Sequence, residues 1–144
     1  MNAIERLNRV RNGSFKYKRL LLKVEELETL ATRTVPVLSQ TPEAHSGINL
    51  RDDTWARLLD YKEECKAALN DYLKDCQELE AEIESCIKSS RIKAAMLCRY
   101  VDIKSIRDTG RCIGYEERQV RRLLRTGEKI YCEEMMKREA EKGE

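Results

Sequence analysis

The sequence predicts an all-α protein: a long antiparallel, coiled-coil-like helical hairpin followed by a C-terminal helix-turn-helix domain. Three observations carry that expectation. Charged residues make up 38% of the 144-residue chain and aromatic residues only 6%, and the dominant Leu, Glu, Lys, Arg and Ala lose least freedom in a helix. Between Leu58 and Cys86 the seam positions recur at spacings of four and three. Near the carboxyl end two glycines, Gly110 and Gly114, precede a helical run rich in arginine.

The first helix is expected over residues 2–33. Tyr17, Leu20, Val24, Leu27 and Ala31 fall on one stripe, which Leu21 and Leu30 widen. Asn12-Gly13-Ser14 marks a weak point where the helix kinks or starts afresh. A loop follows over residues 34–51, where Pro36, Pro42 and Gly47 interrupt any periodicity. His45, the single histidine, lies in this loop and receives no role. Asp52, Asp53 and Thr54 form a capping cluster for the second helix. Its seam of Leu58, Lys62, Cys65, Leu69, Tyr72, Cys76, Leu79, Ile83 and Cys86 is a heptad pattern interrupted only by Lys62. From residue 54 to 89 such a helix is about 54 Å long, against about 48 Å for the first, so the two can pair antiparallel. The short, weakly apolar cysteines and tyrosines of the seam need a partner helix to cover them, and a second copy of the chain suits that role.

Beyond Ser89 the elements shorten. A helix over residues 91–101 is followed by an interruption at Asp102-Ile103-Lys104, and Ser105 caps a second helix from Ile106 to Ile113. Gly114 ends it, because glycine enters the left-handed conformation at least cost. Glu116 or Glu117 then opens a third helix, with carboxylates favoured against its positive end. In a helix-turn-helix the crossing helices require a small residue (Gly110), the tight turn a glycine (Gly114), and the gap between helices an apolar plug (Val120, with Leu123 one turn on). Glu117, Arg118, Arg121, Arg122 and Arg125 then share the outer face, with Gln119 at its margin. Arginine and glutamine side chains can grip base edges or phosphates, and Lys104 and Arg107 are placed for backbone phosphates.

Charge follows the same division. Residues 52–87 hold 4 basic and 11 acidic side chains, whereas residues 88–131 hold 12 basic and 5 acidic. A basic block after an acidic helix points to a polyanion as the partner of the C-terminal part. The chain therefore divides into a hairpin arm over 1–89, a helix-turn-helix domain over 90–131 and a charged helical tail over 132–144.

The stretch "LCRYVDIKSIRDTGRCIGYEERQVRRL" resembles the C-terminal motif of phage and prophage proteins related to region four of bacterial sigma factors, the ArpU/RinA-like regulators. The resemblance rests on Leu97, Arg99-Tyr100, Lys104-Ser105, Gly114-Tyr115 and Glu117-Arg118-Gln119-Val120. It covers about 30 residues strongly and the rest of the chain loosely, through "LETLATR" and the proline-containing segment after it. Thr109 stands where the family usually has an apolar core residue, Gly110 where alanine is commoner, and Cys98 where a longer side chain is usual. The resemblance implies DNA binding and transcription control in phage.

Other chemistries find little footing. The six cysteines lie at least ten residues apart, so neither a zinc site nor a disulfide framework is expected; they are read as small buried hydrophobes. No grouping of nucleophile, acid or ligand suggests an enzyme, and neither a metal nor a cofactor is expected. No apolar run is long enough to span a bilayer, and no signal peptide is recognised, so a cytoplasmic location in a bacterial host is expected. The expected partners are double-stranded DNA, a second copy of the chain through the long helices, and host RNA polymerase. Two alternatives remain open: a DNA-packaging subunit of the small terminase class, and a protein-interaction module using the acidic arm.

Overall fold

The computed structural model describes the backbone of residues 2–38 and 44–143, and the side chains of residues 2–32 and 53–143. Every regular element among them is helical: α1 (Ala3–Leu38), α2 (Ala44–Cys86), α3 (Ser90–Met96), a π-helical turn (Leu97–Val101), α4 (Ile106–Ile113) and α5 (Glu117–Lys142). None of the described helices is long and apolar enough to cross a membrane.

α1 starts on a reciprocal cap. Asn2 Oδ1 accepts the Glu5 N–H at 2.8 Å, and Glu5 Oε2 accepts the Asn2 N–H at 3.2 Å, satisfying two donors that the first turn otherwise orphans. Of the two outcomes expected at Asn12–Ser14, a fresh start does not occur: α1 is a single helix through Gly13. Extending an existing helix adds one hydrogen bond per residue fixed, whereas interruption requires a new nucleus. α1 also continues past Pro36 to Leu38, although proline adds no N–H to the helical ladder, and α2 is already helical at Ala44, well before the expected cap at Asp52–Thr54. The loop expected over 34–51 is therefore helical in backbone at 34–38 and 44–51, while 39–43 lies outside the described residues. So does the side chain of His45.

The helices contribute to two compact units, Met1–Asn12 with Tyr72–Glu144, and Gly13–Asp71. In the second unit Val24, Leu58 and Cys65 form a small core, with Tyr17, Leu20, Leu27 and Tyr61 packed against it. Lys62, the polar member of the seam, lies at its margin and pairs with Glu28 at 3.2 Å. Leu21 and Leu30 are exposed and do not widen the stripe as expected, because a helix seated on a single partner helix buries only a narrow seam.

The first unit has the larger core. Leu7 and Val10 of α1 join Leu79, Ile83 and Cys86 of α2, then Ile87, Ala95, Met96, Val120, Leu124, Tyr131 and Met135. The boundary expected between residues 89 and 90 falls inside this unit. Residues 132–143 continue α5, and Met135 buries itself in the core. Beside that core Arg9 lies 3.4 Å from Glu82 and 3.8 Å from Glu78. The buried Tyr131 hydroxyl donates to Glu82 at 2.7 Å. Burial and this bond to a carboxylate push the tyrosine's pKa above its ordinary value.

Candidate nucleic-acid interface

The C-terminal helices are positioned by a sequence of small local devices. α3 runs into a widened turn in which the Asp102 N–H bonds Leu97 O at 3.0 Å, a five-residue reach that ends the regular helix. Ile103 then takes a left-handed backbone, φ 57°. The Arg99 guanidinium donates to Lys104 O at 2.8 Å and clasps this corner. Ser105 caps α4, its hydroxyl accepting the Asp108 N–H at 3.1 Å. Thr109 is fully buried, yet its hydroxyl donates to Ser105 O at 2.8 Å. A polar side chain where the resembled family carries an apolar one thus leaves no unsatisfied group.

Two glycines then turn the chain for different reasons. Gly114 has φ 78° and ψ 31°, the left-handed conformation in which side chains other than glycine are costly. A Cβ there would touch nothing within 4 Å, so the backbone alone demands glycine. At Gly110 the demand is spatial: a Cβ would lie 2.5 Å from Tyr115 O and 3.4 Å from Val120 Cγ2. Gly110 O also accepts the N–H groups of Gly114 and Tyr115 at 2.8 and 2.9 Å, closing the end of α4. α5 begins on a capping box between Glu116 and Gln119.

A third glycine carried a role the sequence reading missed. A Cβ on Gly127 would lie 2.7 Å from Met96 Cγ and Sδ and 2.9 Å from Ile92 Cγ2, so α5 rests closely on α3 at this point. The signal was available, since glycine inside a helix costs about 1 kcal/mol relative to alanine. One turn on, the Tyr100 hydroxyl makes a short hydrogen bond to Glu128. Burial, then that bond, push the Tyr100 pKa upward.

These devices fix which face of α5 is outward. Val120 and Leu124 are buried and Leu123 is half-buried. Glu117, Arg118, Gln119, Arg121, Arg122 and Arg125 are all exposed. Arg118, Arg121, Arg122 and Arg125 line, with Thr126, a groove of about 410 Å³. Arg121 lies 3.9 Å from Glu117, a loose pair between exposed groups. Among the described residues Arg118, Arg122 and Arg125 hold no ion pair, so three guanidinium groups face water unneutralised. Gln119 is less available than its exposure suggests, because its Oε1 accepts the Glu116 N–H at 3.3 Å.

The supporting positions differ from one another. Arg107 is exposed. Lys104 is half-buried, and its Nζ donates to Cys112 Sγ at 3.0 Å. That bond raises the lysine pKa above its ordinary value. The cysteines are less uniformly buried than expected: Cys65 and Cys86 are buried, Cys76, Cys98 and Cys132 are half-buried, and Cys112 is exposed. Cysteine tolerates such placement because its small thiol costs little in either setting. Among the described residues no group of histidine, cysteine and acidic side chains could hold a metal ion.

Comparison of the chain with family models, with curated proteins and with solved structures finds no match.

Proposed function

We propose that the chain is a sequence-specific DNA-binding transcriptional regulator of phage or prophage origin, similar to the region-four class of sigma factors. In this reading α4, the Gly114 turn and α5 are a helix-turn-helix that follows a long helical hairpin. α5 enters the major groove, Arg118, Arg121, Arg122 and Arg125 contact base edges and phosphates, and Arg107 and Lys104 hold the flanking backbone. The supporting observation is the exposed, largely unpaired arginine face of α5, held outward by the buried Val120 and Leu124 and by the break at Gly114. The surplus of 12 basic over 5 acidic residues across 88–131 is consistent with a polyanionic partner. The chain acts without catalysis, metal or cofactor, in the cytoplasm of a bacterial host, with polymerase as a further partner. Self-association through the long helices is supported by Phe15, Leu22, Leu30, Trp55 and Leu59, all exposed.

The test is selection of duplexes from a random pool by the purified chain, followed by fluorescence anisotropy on the enriched sequence. Replacing Arg121 and Arg122 together by Ala should reduce affinity at least about 30-fold, on the order of 1–3 kcal/mol for each good base contact, with the helical circular-dichroism signal unchanged. No enrichment, or equal affinity for the double variant at moderate salt, sinks the reading.

A further inference from the structure

A groove runs along one side of the second unit, where α1 and α2 lie against each other. It consists of two cavities, about 650 and 420 Å³, that share Lys23, Tyr61 and Glu64. The lining recurs at helical intervals from Phe15 to Leu30 on α1 and from Arg57 to Asp71 on α2, a length of about 22 Å on each helix. Phe15 to Lys23 share one cavity with Tyr61 to Asp71, and Lys23 to Leu30 share the other with Arg57 to Glu64, so the two helices run antiparallel past it.

The unit is short of buried apolar surface. Among the described residues its core cluster is Val24, Leu58 and Cys65, whereas a stable helical layer packs against a second one. The groove offers that second layer a seat. Leu20, Leu27 and Tyr61 line it half-buried, and Phe15 and Leu30 keep 53% and 51% of their surface exposed there. Trp55 and Leu59, also exposed, do not line it. The two walls differ in charge. α1 supplies Lys16, Arg19 and Lys23 with one carboxylate, Glu26, which lies 3.7 Å from Lys23. α2 supplies Asp60, Glu64 and Asp71 with one cation, Arg57. Four cations and four carboxylates leave no net charge, which suits neither a polyanion nor a polycation. A basic wall beside an acidic one is the complement of its own copy.

We propose that the groove is the seat of a second copy of the chain, placed by a two-fold axis parallel to the helices so that two hairpins form a four-helix bundle. Such an axis keeps every residue at its own level and exchanges α1 for α2. Arg19 and Lys23 then face the partner's Asp71 and the partner's Glu64, and the reverse pairs repeat across the axis, as a self-complementary interface requires. The apolar lining of both copies, with Phe15 and Leu30, closes into one bundle core. This rests on the self-association in the reading above and names its face and its charge pairing; it does not depend on duplex recognition by α5.

Charge reversal tests the pairing on the full chain. One variant carries Arg19→Glu with Lys23→Glu, the other Glu64→Lys with Asp71→Lys; all four side chains are exposed, and circular dichroism checks that both variants fold. Sedimentation equilibrium measures self-association. Facing like charges oppose association, and the two-fold doubles each reversal, so each variant alone should dimerise at least about tenfold more weakly than wild type. An equimolar mixture, with one variant fluorescently labelled, should recover a heterodimer, because each reversed wall then meets its opposite. Wild-type dimerisation by either variant alone, or no heterodimer in the mixture, overturns the proposal. Loss of the dimer in Trp55→Ala with Leu59→Ala, but not in the reversed variants, overturns it too while leaving self-association standing on another face. A wild-type chain that stays monomeric removes the groove and the self-association together, and leaves duplex selection by α5 untouched.

Discussion

Replacing Gly110 by alanine sets two effects of opposite sign against each other. Propensity alone favours the change, since alanine is about 1 kcal/mol better than glycine inside a helix. Packing opposes it: the added Cβ would stand 2.5 Å from the Tyr115 carbonyl oxygen. That oxygen is backbone, and the Tyr115 N–H is bound to Gly110 O at 2.9 Å, so the turn cannot retreat without loosening the end of α4. Forcing an extra carbon into a fitted site costs roughly 1–3 kcal/mol, and a loosened hydrogen bond adds about 1 kcal/mol. The expected balance is a net loss of about 1–3 kcal/mol, or roughly 3–10 °C in Tm. Urea unfolding followed by far-ultraviolet circular dichroism measures it as a lower midpoint at constant m. Trp55, the single tryptophan, belongs to the second unit, so its emission serves as an internal reference. Gly143→Ala is the control, since its Cβ meets nothing closer than 3.5 Å. A Gly110→Ala variant as stable as wild type, or more stable, would refute the close crossing of α4 with the turn before α5.

Two further changes probe neighbouring devices. Gly114→Ala should cost about 1–2 kcal/mol through its left-handed backbone, and Gly114→Asn less, because asparagine tolerates that conformation. Equal losses in the two variants would show that backbone conformation is not the cause. Tyr100 and Tyr131 both have pKa values raised by burial and a carboxylate partner. Above pH about 10 the unfolded chain releases these protons while the folded chain keeps them, so stability is intact below that pH and falls as pH rises through it. Alkaline unfolding midpoints should become less steeply pH-dependent in Tyr100→Phe with Tyr131→Phe, and an unchanged dependence would contradict the assignment.

Much of the C-terminal part was legible because its signals are local. A serine cap, a glycine at the helix end and carboxylates before the next helix act within one turn, so Ser105, Gly114, Glu116 and Glu117 could be read without knowing what they touch. The seam from Leu58 to Cys86 was legible for a similar reason, since periodicity survives without a partner. Distant partners were not. Leu7 and Val10 lie before the apparent weak point at Gly13, and only the meeting with Leu79, Ile83 and Tyr131 gives them a core. Gly127 looked like the end of an arginine run, because its meaning lies in Met96 and Ile92. Gln119 was read for its hydrogen-bonding edge, while a short-range cap occupies half of it. The exposed arginines were assigned to one outward face, yet Arg121 and Arg125 also line a cavity shared with Arg11, a juxtaposition that no spacing along the chain contains.

The first unit draws its core from residues near opposite ends of the chain, with Val10 and Tyr131 in one cluster. A ribosome adds roughly 5–20 residues per second, so Val10 leaves the exit tunnel on the order of ten seconds before Tyr131 does. Throughout that interval the apolar face of Leu7 and Val10 has no late-made partner to cover it. Until Tyr131 and Met135 emerge, Leu7 and Val10 have only the earlier-made Leu79, Ile83, Ile87 and Met96 of that cluster to pack against, so this core closes late in synthesis.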